Sequence, residues 1–276
     1  MSVRIVQSKQ NARLKELRQA LAHPSRAGVV ALEGPNLLAE AVRAAVRIHC
    51  VFVSDEQEAA AQERTLPPAT EVLLLPPDLL RSALTTETPQ PVAALVDPPQ
   101  WNWDHVLAAH TKRAPLIVLL AGLQDPGNLG TILRSAEAFG ATGIVSLPGT
   151  VSPWNPKVVR SSAGSVLRVP LIAAEPADAI ARLRTTGIEV LTTRAGNGLP
   201  ADRARLSHPV AFLIGNEGNG VPEEIAVLAD GAIRIPCPGP VESLNAAVAA
   251  SVLLYEASRQ RAHAAGEPAT NPTETP

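Results

Sequence analysis

Hydrophobic spacing gives the two halves of the chain different textures. In the first half Leu14, Leu17 and Leu21 recur at helical spacing among Arg13, Lys15 and Arg18, which predicts a helix over 11–21. An apolar run predicts a strand over 29–32, Glu33-Gly34-Pro35 a turn, and the next periodic stretch a helix over 36–47. Strands are predicted over 48–53, 72–75 and 91–96, and the cluster Asp97-Pro98-Pro99-Gln100 breaks the pattern. A bridge over 101–111 carries Trp101 and Trp103, a pair that reads as packing between the halves.

In the second half short apolar runs alternate with periodic stretches. Strands are predicted over 116–121, 143–146, 188–192, 210–214 and 232–235, and helices over 129–139, 156–162, 178–186, 222–229 and 246–262. Repeated strand–helix–strand order predicts an α/β fold with a parallel sheet covered on both faces. Ligands on such sheets bind beyond the carboxyl ends of the strands. The expected division is 1–106, then 107–265, then a polar, Pro-rich tail over 266–276 that is expected to be disordered.

Composition narrows this picture. Hydrophobic residues make up 46% of the 276 and aromatics only 3%, so the core is aliphatic and wholesale disorder is excluded. Net charge is −2, so no global basic field exists and contact with nucleic acid has to come from a local patch. Charge is uneven: eight Lys/Arg against three acids leave residues 1–50 at +5, while residues 51–100 stand at −6, and by charge alone the front reads as a solvated helix face sooner than as a phosphate-binding edge. Cys50 and Cys237 are far apart and the six histidines are scattered, so neither a disulfide scaffold nor a metal site is expected. The start lacks the apolar stretch of a signal peptide, and the run 116–121 is far too short to span a bilayer; a cytoplasmic protein is expected.

Three segments carry candidate chemistry. In the stretch 123–140 a strand ends, Asp125-Pro126-Gly127 turns the chain, and Asn128 is placed to cap the next helix. On that helix Leu129, Ile132, Leu133, Ala136 and Phe139 share a face, which leaves Arg134 opposite with Thr131. A helix N-terminus beside a strand's carboxyl end suits an anion. Second, Gly215-Asn216-Glu217-Gly218-Asn219-Gly220 follows an apolar strand. Its glycines permit positive φ and close backbone approach, and Glu217 favours a neutral or cationic ligand, or a sugar hydroxyl, over phosphate. Third, the strand ending Ile235-Pro236 breaks into a proline-rich loop, and Ser243 and Asn245 open a helix that is apolar nearly all round. Such a helix is buried by the fold or by a partner chain. The stretch Gly196-Asn197-Gly198-Leu199-Pro200-Ala201 imitates a dinucleotide loop, but Pro200 and the short span before the next strand at Val210 leave little room for the required helix, and it reads as a loop.

Together and in this order, the three segments resemble the SpoU/TrmH family of S-adenosylmethionine-dependent RNA ribose 2′-O-methyltransferases, of the SPOUT class. The stretch 155–164 resembles the family's linking segment. Asn11-Ala12-Arg13-Leu14-Lys15 and Leu32-Glu33-Gly34 resemble the substrate-binding domain found in members that modify ribosomal RNA. The resemblance implies a smaller α/β RNA-binding domain before a trefoil-knotted catalytic domain that dimerises through its knot, with 23S-type ribosomal RNA as substrate. It implies donor contacts from Gly215, Glu217, Gly218, Ile235, Pro236, Leu244 and Thr192, largely through backbone groups. Asn128, Arg134, Glu217, Ser243 and Asn245 match the polar active-site positions, and Arg13, Lys15, Arg18, Lys157 and Arg160 are the candidate RNA contacts. Cys237 stands where many members carry methionine. A guanidinium stays protonated, so Arg134 is expected to position a phosphate or the 2′-oxygen and not to act as a base. The alternatives are a tRNA-directed member, a non-catalytic RNA-binding protein of the same fold, and a nucleotide-binding oxidoreductase using the 196–201 stretch.

Overall fold

A computed structural model describes residues 3–24, 28–54, 66–86, 88–109, 111, 113–241 and 243–265. The tail 266–276 and Glu242 lie outside the described residues. The chain forms two compact units, Met1–Gln100 with Ser152–Arg168, and Trp101–Val151 with Val169–Pro276.

The first unit holds a five-stranded sheet of order β1-β4-β3-β5-β2, built from β1 (Val3–Ile5), β2 (Val30–Glu33), β3 (Ile48–Val53), β4 (Glu71–Leu74) and β5 (Val92–Val96). Strands β1, β4 and β3 run parallel, and β5 runs antiparallel to both β3 and β2. Helix α1 (Ala12–Ala22) lies where the leucine spacing predicts it. Asn11 caps it by accepting from the Arg13 and Leu14 amides, and Leu14, Leu17 and Leu21 are buried with Phe52, Leu73 and Leu95. Helix α2 (Pro35–Arg43) stops short of the predicted 47 because Ala45 takes φ 52. A third helix, α3, covers Pro77–Arg81.

The second unit is organised by a seven-stranded sheet, every pairing of which is parallel. Its order is β10-β12-β9-β11-β6-β7-β8, from β6 (Leu116–Leu120), β7 (Gly143–Ser146), β8 (Leu171–Ala173), β9 (Glu189–Thr193), β10 (Leu199–Pro200), β11 (Val210–Ile214) and β12 (Gly231–Arg234). The central strands β6 and β11 are buried at every residue, which explains their unbroken apolar runs. The helices of this half of the chain are α4 (Trp103–Val106), α5 (Pro126–Ala138), α6 (Pro156–Ser161), α7 (Pro176–Thr185), α8 (Glu223–Ala226) and α9 (Ala246–Ala264). Of these, α6 belongs to the first unit. Ala179, Ile180 and Leu183 of α7 cover one face of the sheet with Ile117, Leu119 and Leu213; α5 and α9 pack on each other, and α9 on β6 and β11. Trp103 packs against the α7 side of this core, with the Arg182 guanidinium 5.2 Å above its ring. Strands β1, β8 and β10 are absent from the sequence expectation, and β10 lies inside the 196–201 stretch expected to be a loop.

One half-buried cation ties the end of α9 to the beginnings of two strands. Arg261 donates to the carbonyls of Ala114 (2.6 Å), Pro115 (2.9 Å), Leu206 (3.2 Å) and His208 (2.7 Å), just ahead of β6 and β11. Burial pulls its pKa down, and the four carbonyls supply the solvation it has lost. Arg261→Ala is expected to lower unfolding free energy by about 3 kcal/mol, since each hydrogen bond to a charged group contributes about 1.5–3 kcal/mol and neighbouring bonds do not add. Urea denaturation followed by circular dichroism measures this; a loss under about 1 kcal/mol would show that water replaces the guanidinium at little cost.

Candidate functional site

Strands β6, β11, β9 and β12 are neighbours and parallel, so the segments leaving their carboxyl ends emerge together. Those segments contain Asp125–Asn128, Gly215–Gly220, the residues after Thr193, and Ile235–Asn245. All three sequence motifs are therefore brought to one end of the sheet.

Helix α5 begins at Pro126, and its cap is Asp125, whose carboxylate accepts from the Asn128 amide at 2.9 Å. This corrects the expectation that Asn128 caps the helix. Asp-Pro fills the cap and first helical positions, where proline's missing N–H costs nothing, and Asn128 falls one turn in with its side chain free for other work. Its Nδ2 donates to Glu217 Oε1 at 2.9 Å, and its Oδ1 accepts from Asn245 Nδ2 at 3.0 Å. Asn245 caps α9 in turn, its Oδ1 accepting from the Ala247 and Val248 amides. Glu217 takes two further bonds, from the backbone N–H of Asp125 (3.0 Å) and of Gln124 (3.3 Å). Desolvation works to raise its pKa, but the bonds from Asn128 and the backbone outweigh it and the net shift is downward. A carboxyl whose folded value is depressed contributes stability above its unfolded pKa and loses that contribution as pH falls through the lowered value. The Glu217 links hold through neutral pH and release only in acid, below the usual carboxylate range.

The glycine-rich loop closes on itself. Asn216 and Gly220 exchange backbone hydrogen bonds of 2.9 and 3.0 Å, Asn216 Oδ1 accepts from the Gly218 amide, and Asn216 Nδ2 donates to the Gly122 carbonyl. Gly220 has φ +69, and a Cβ on Gly215 would lie 2.0 Å from the Gly220 carbonyl carbon. Gly215 is therefore required by the loop's own closure and not by positive φ. Asn216 and Asp125 are the structural residues that motif reading passed over. The Asp-Pro pair ahead of a helix was the available signal for Asp125, whereas nothing in the sequence pairs Asn216 with Gly122.

Thr192 stands opposite Leu213 of β11 and Ala232 of β12, one residue before the carboxyl ends of β9 and β11. Its hydroxyl is buried with no hydrogen-bond partner among the described residues. A native buried hydroxyl is ordinarily satisfied, so an orphan beside a ring of loops fits a polar ligand. Ile235 and Leu244 are half-buried, and Gly218, Pro236 and Ser243 are exposed. Arg134 is exposed on α5, and neither it nor Ser243 has a hydrogen bond or ion pair among the described residues.

The candidate RNA contacts are not gathered into one patch of free cations. Arg13 is held by Glu16 (2.8 Å) and Glu71 (3.2 Å), and Arg18 donates to the Lys9 carbonyl. Lys15 and Lys157 are exposed, and Arg160 Nη1 lies 3.7 Å from Glu33 Oε1.

The geometry defines an α/β protein with a ligand site at the carboxyl ends of a wholly parallel sheet. Residues 115–255 match the SpoU rRNA Methylase family and residues 11–94 the MRM3-like substrate binding domain. The 23S rRNA (guanosine(2553)-2′-O)-methyltransferase RlmP of Bacillus subtilis is 31% identical over 91% of this chain and 97% of its own. Two solved structures are similar throughout. The SpoU methyltransferase AviRb of Streptomyces viridochromogenes in complex with AdoMet has TM-score 0.80 and 32% identity, over 91% of this chain and 98% of its own. The AdoMet-bound rRNA methyltransferase of Sinorhizobium meliloti has TM-score 0.81 and 30% identity, over 93% and 98%. The chain belongs to the SpoU rRNA methylase family.

Because an added Cβ at Gly215 strikes backbone, Gly215→Ala is expected to weaken S-adenosylmethionine binding at least about tenfold while far-UV circular dichroism stays near wild type. Calorimetric titration decides it, and unchanged affinity would show that the 215–220 turn has no part in holding the donor.

Proposed function

We propose that this protein transfers a methyl group from S-adenosylmethionine to a ribose 2′-hydroxyl of RNA, with 23S-type ribosomal RNA as the target. The observation that carries the reading is the joining of the three motif segments by Glu217, Asn128 and Asn245 beside the unpartnered Thr192 hydroxyl. The rRNA methyltransferase relatives and the substrate-binding match over 11–94 support ribosomal RNA over tRNA. When bound, S-adenosylmethionine supplies an electrophilic methyl group on a sulfonium.

The donor would be held by the backbone around Gly215, Gly218, Ile235, Pro236 and Leu244 and by the Thr192 hydroxyl. Arg134 stays protonated, so its work is electrostatic: it holds an RNA phosphate or the attacking 2′-oxygen, and the hydroxyl proton passes to a neighbouring phosphate or to water. Ser243 orders the ligands directly. Asn128, Glu217 and Asn245 act by positioning, because their polar atoms are largely occupied by one another.

Residues 1–106 would read the RNA with Lys15 and Arg18 as phosphate contacts, joined by Lys157 and Arg160 from the segment 152–168 of the same unit, and Arg13 available only by leaving its glutamates. Residues 107–265 would carry the donor site and the trefoil knot of the SPOUT class. No described helix is long and apolar enough to cross a membrane, and we place the protein in the cytoplasm. Val248, Val252 and Tyr255 recur at helical spacing on α9 and are 47%, 37% and 54% exposed. They would form the centre of a homodimer interface.

Arg134→Ala is expected to reduce turnover on RNA by about 10²–10³-fold while the donor's Kd stays within about twofold. Tritiated methyl transfer and calorimetry measure the two quantities, and wild-type turnover would remove Arg134 from the reaction. Val252→Glu is expected to shift the protein from dimer to monomer in light scattering at low micromolar concentration, because a carboxylate buried at an apolar interface lacks a partner. A wild-type protein that is already monomeric and fully active would overturn the interface.

A further inference from the structure

The first unit contains a cavity of about 460 Å³ formed by Glu33, Pro35, Asn36, Leu37, Gln90 and Arg160, among others. None of these belongs to the three motif segments. At its wall lies a buried charge, the Glu33 carboxylate, whose side chain is 3% exposed. Each carboxylate oxygen accepts one hydroxyl, Oε1 from Thr85 at 2.8 Å and Oε2 from Thr86 at 2.9 Å. A carboxylate has about four acceptor positions, so among the described residues one remains on each oxygen. The Arg160 guanidinium stands 3.7 Å from Oε1, close enough for ion pairing and too far for a hydrogen bond.

Two adjacent acceptors on a buried carboxylate call for a flat ligand with two adjacent N–H donors on one edge. Among the groups of RNA, guanine presents that edge, with N1–H beside its 2-amino group; adenine lacks the ring N–H and uracil has a single one. Pro35 and Leu37 give the cavity apolar wall for a ring, and a cation at the mouth suits the phosphates that accompany a base. We propose that this cavity takes an unpaired guanine of the RNA substrate, its Watson–Crick edge on Glu33 and Arg160 over it. The site deepens the RNA reading given above and rests on it.

The test uses the full chain and fluorescently labelled single-stranded RNA heptamers that differ only at the central nucleotide: guanosine, inosine (which lacks the 2-amino group) or adenosine. Fluorescence anisotropy is expected to show the guanosine heptamer binding about tenfold tighter than the inosine one. Glu33→Gln is expected to erase that preference while leaving the inosine heptamer and S-adenosylmethionine bound as in wild type. Should that variant fail to fold, Asn36→Trp fills the cavity from an exposed position and is expected to do the same. Equal affinity of the wild type for all three heptamers overturns the proposal, as does a guanosine preference that survives the folded variants. Methyl transfer to ribosomal RNA, measured on the same preparations, separates the readings: a guanosine preference without any transfer leaves the cavity's role standing and overturns the catalytic one.

Discussion

Segments that leave different strands of a parallel sheet have no backbone ladder to hold them to each other, and here one carboxylate does that work. Glu217, from the segment after β11, draws in the Gln124 and Asp125 amides and the Asn128 side chain, all from the segment after β6. The chain of bonds is directional. Asn128 must present its NH₂ to Glu217, so its oxygen faces Asn245. Asn245 must then present its own NH₂, which leaves its oxygen to cap α9. Fixing one amide fixes the next, and the start of the final helix is set by a carboxylate in a loop from another strand. The same bonds hold Glu217 ionised against the cost of its partial burial.

This arrangement sorts the polar residues of the candidate site into two groups. Asn128, Glu217 and Asn245 satisfy one another, and a residue so engaged can touch a ligand only with what capacity is left. Arg134, Ser243 and the buried Thr192 hydroxyl have no partner among the described residues. A preorganised site needs both kinds, groups that hold geometry and groups that meet the ligand. The sequence motifs carry five of these six, Thr192 being the exception, without distinguishing them, because residue type shows what a side chain can bond and not what it already does.

That limit also explains where the sequence was legible. The buried strands β6 and β11 and the leucine stripe of α1 were read directly, because burial on both faces or on one helical face leaves a period in the chain. The edge strand β1 was not: its three residues are all exposed and leave no pattern. Strand β10 has two residues, one of them proline. Asn128 was misread as a cap because Asp and Asn are both good caps three residues apart, and only the hydrogen bonds decide between them. The sequence shows Gly215 only as one of three glycines in a loop; that a side chain there would strike Gly220 appears only when the loop has folded back. Charge counting located a basic front but could not see that Glu71 comes back beside Arg4 and Arg13 and neutralises part of it.

The segment 152–168 shows the same principle at the scale of whole units. Its sequence predicts a helix, and α6 is there, but periodicity does not say which core the helix joins. The chain leaves the second unit after Val151, packs with the first, and returns at Val169 to form β8. The bonds that hold it are specific. Arg168 pairs with Glu40 of α2, and Gly164, at φ +89, lies so close that a Cβ there would stand 2.6 Å from the Glu40 side chain. Any side chain at 164 would therefore meet both a strained backbone and an occupied space. A cut near residue 106 would take Glu40 and Glu33 away from Gly164, Arg168 and Arg160, leaving two arginines without their acids in a segment threaded between β7 and β8. The chain crosses from one unit to the other after Gln100, Val151 and Arg168, so the residues of the first unit are not contiguous in sequence and no single cut releases them.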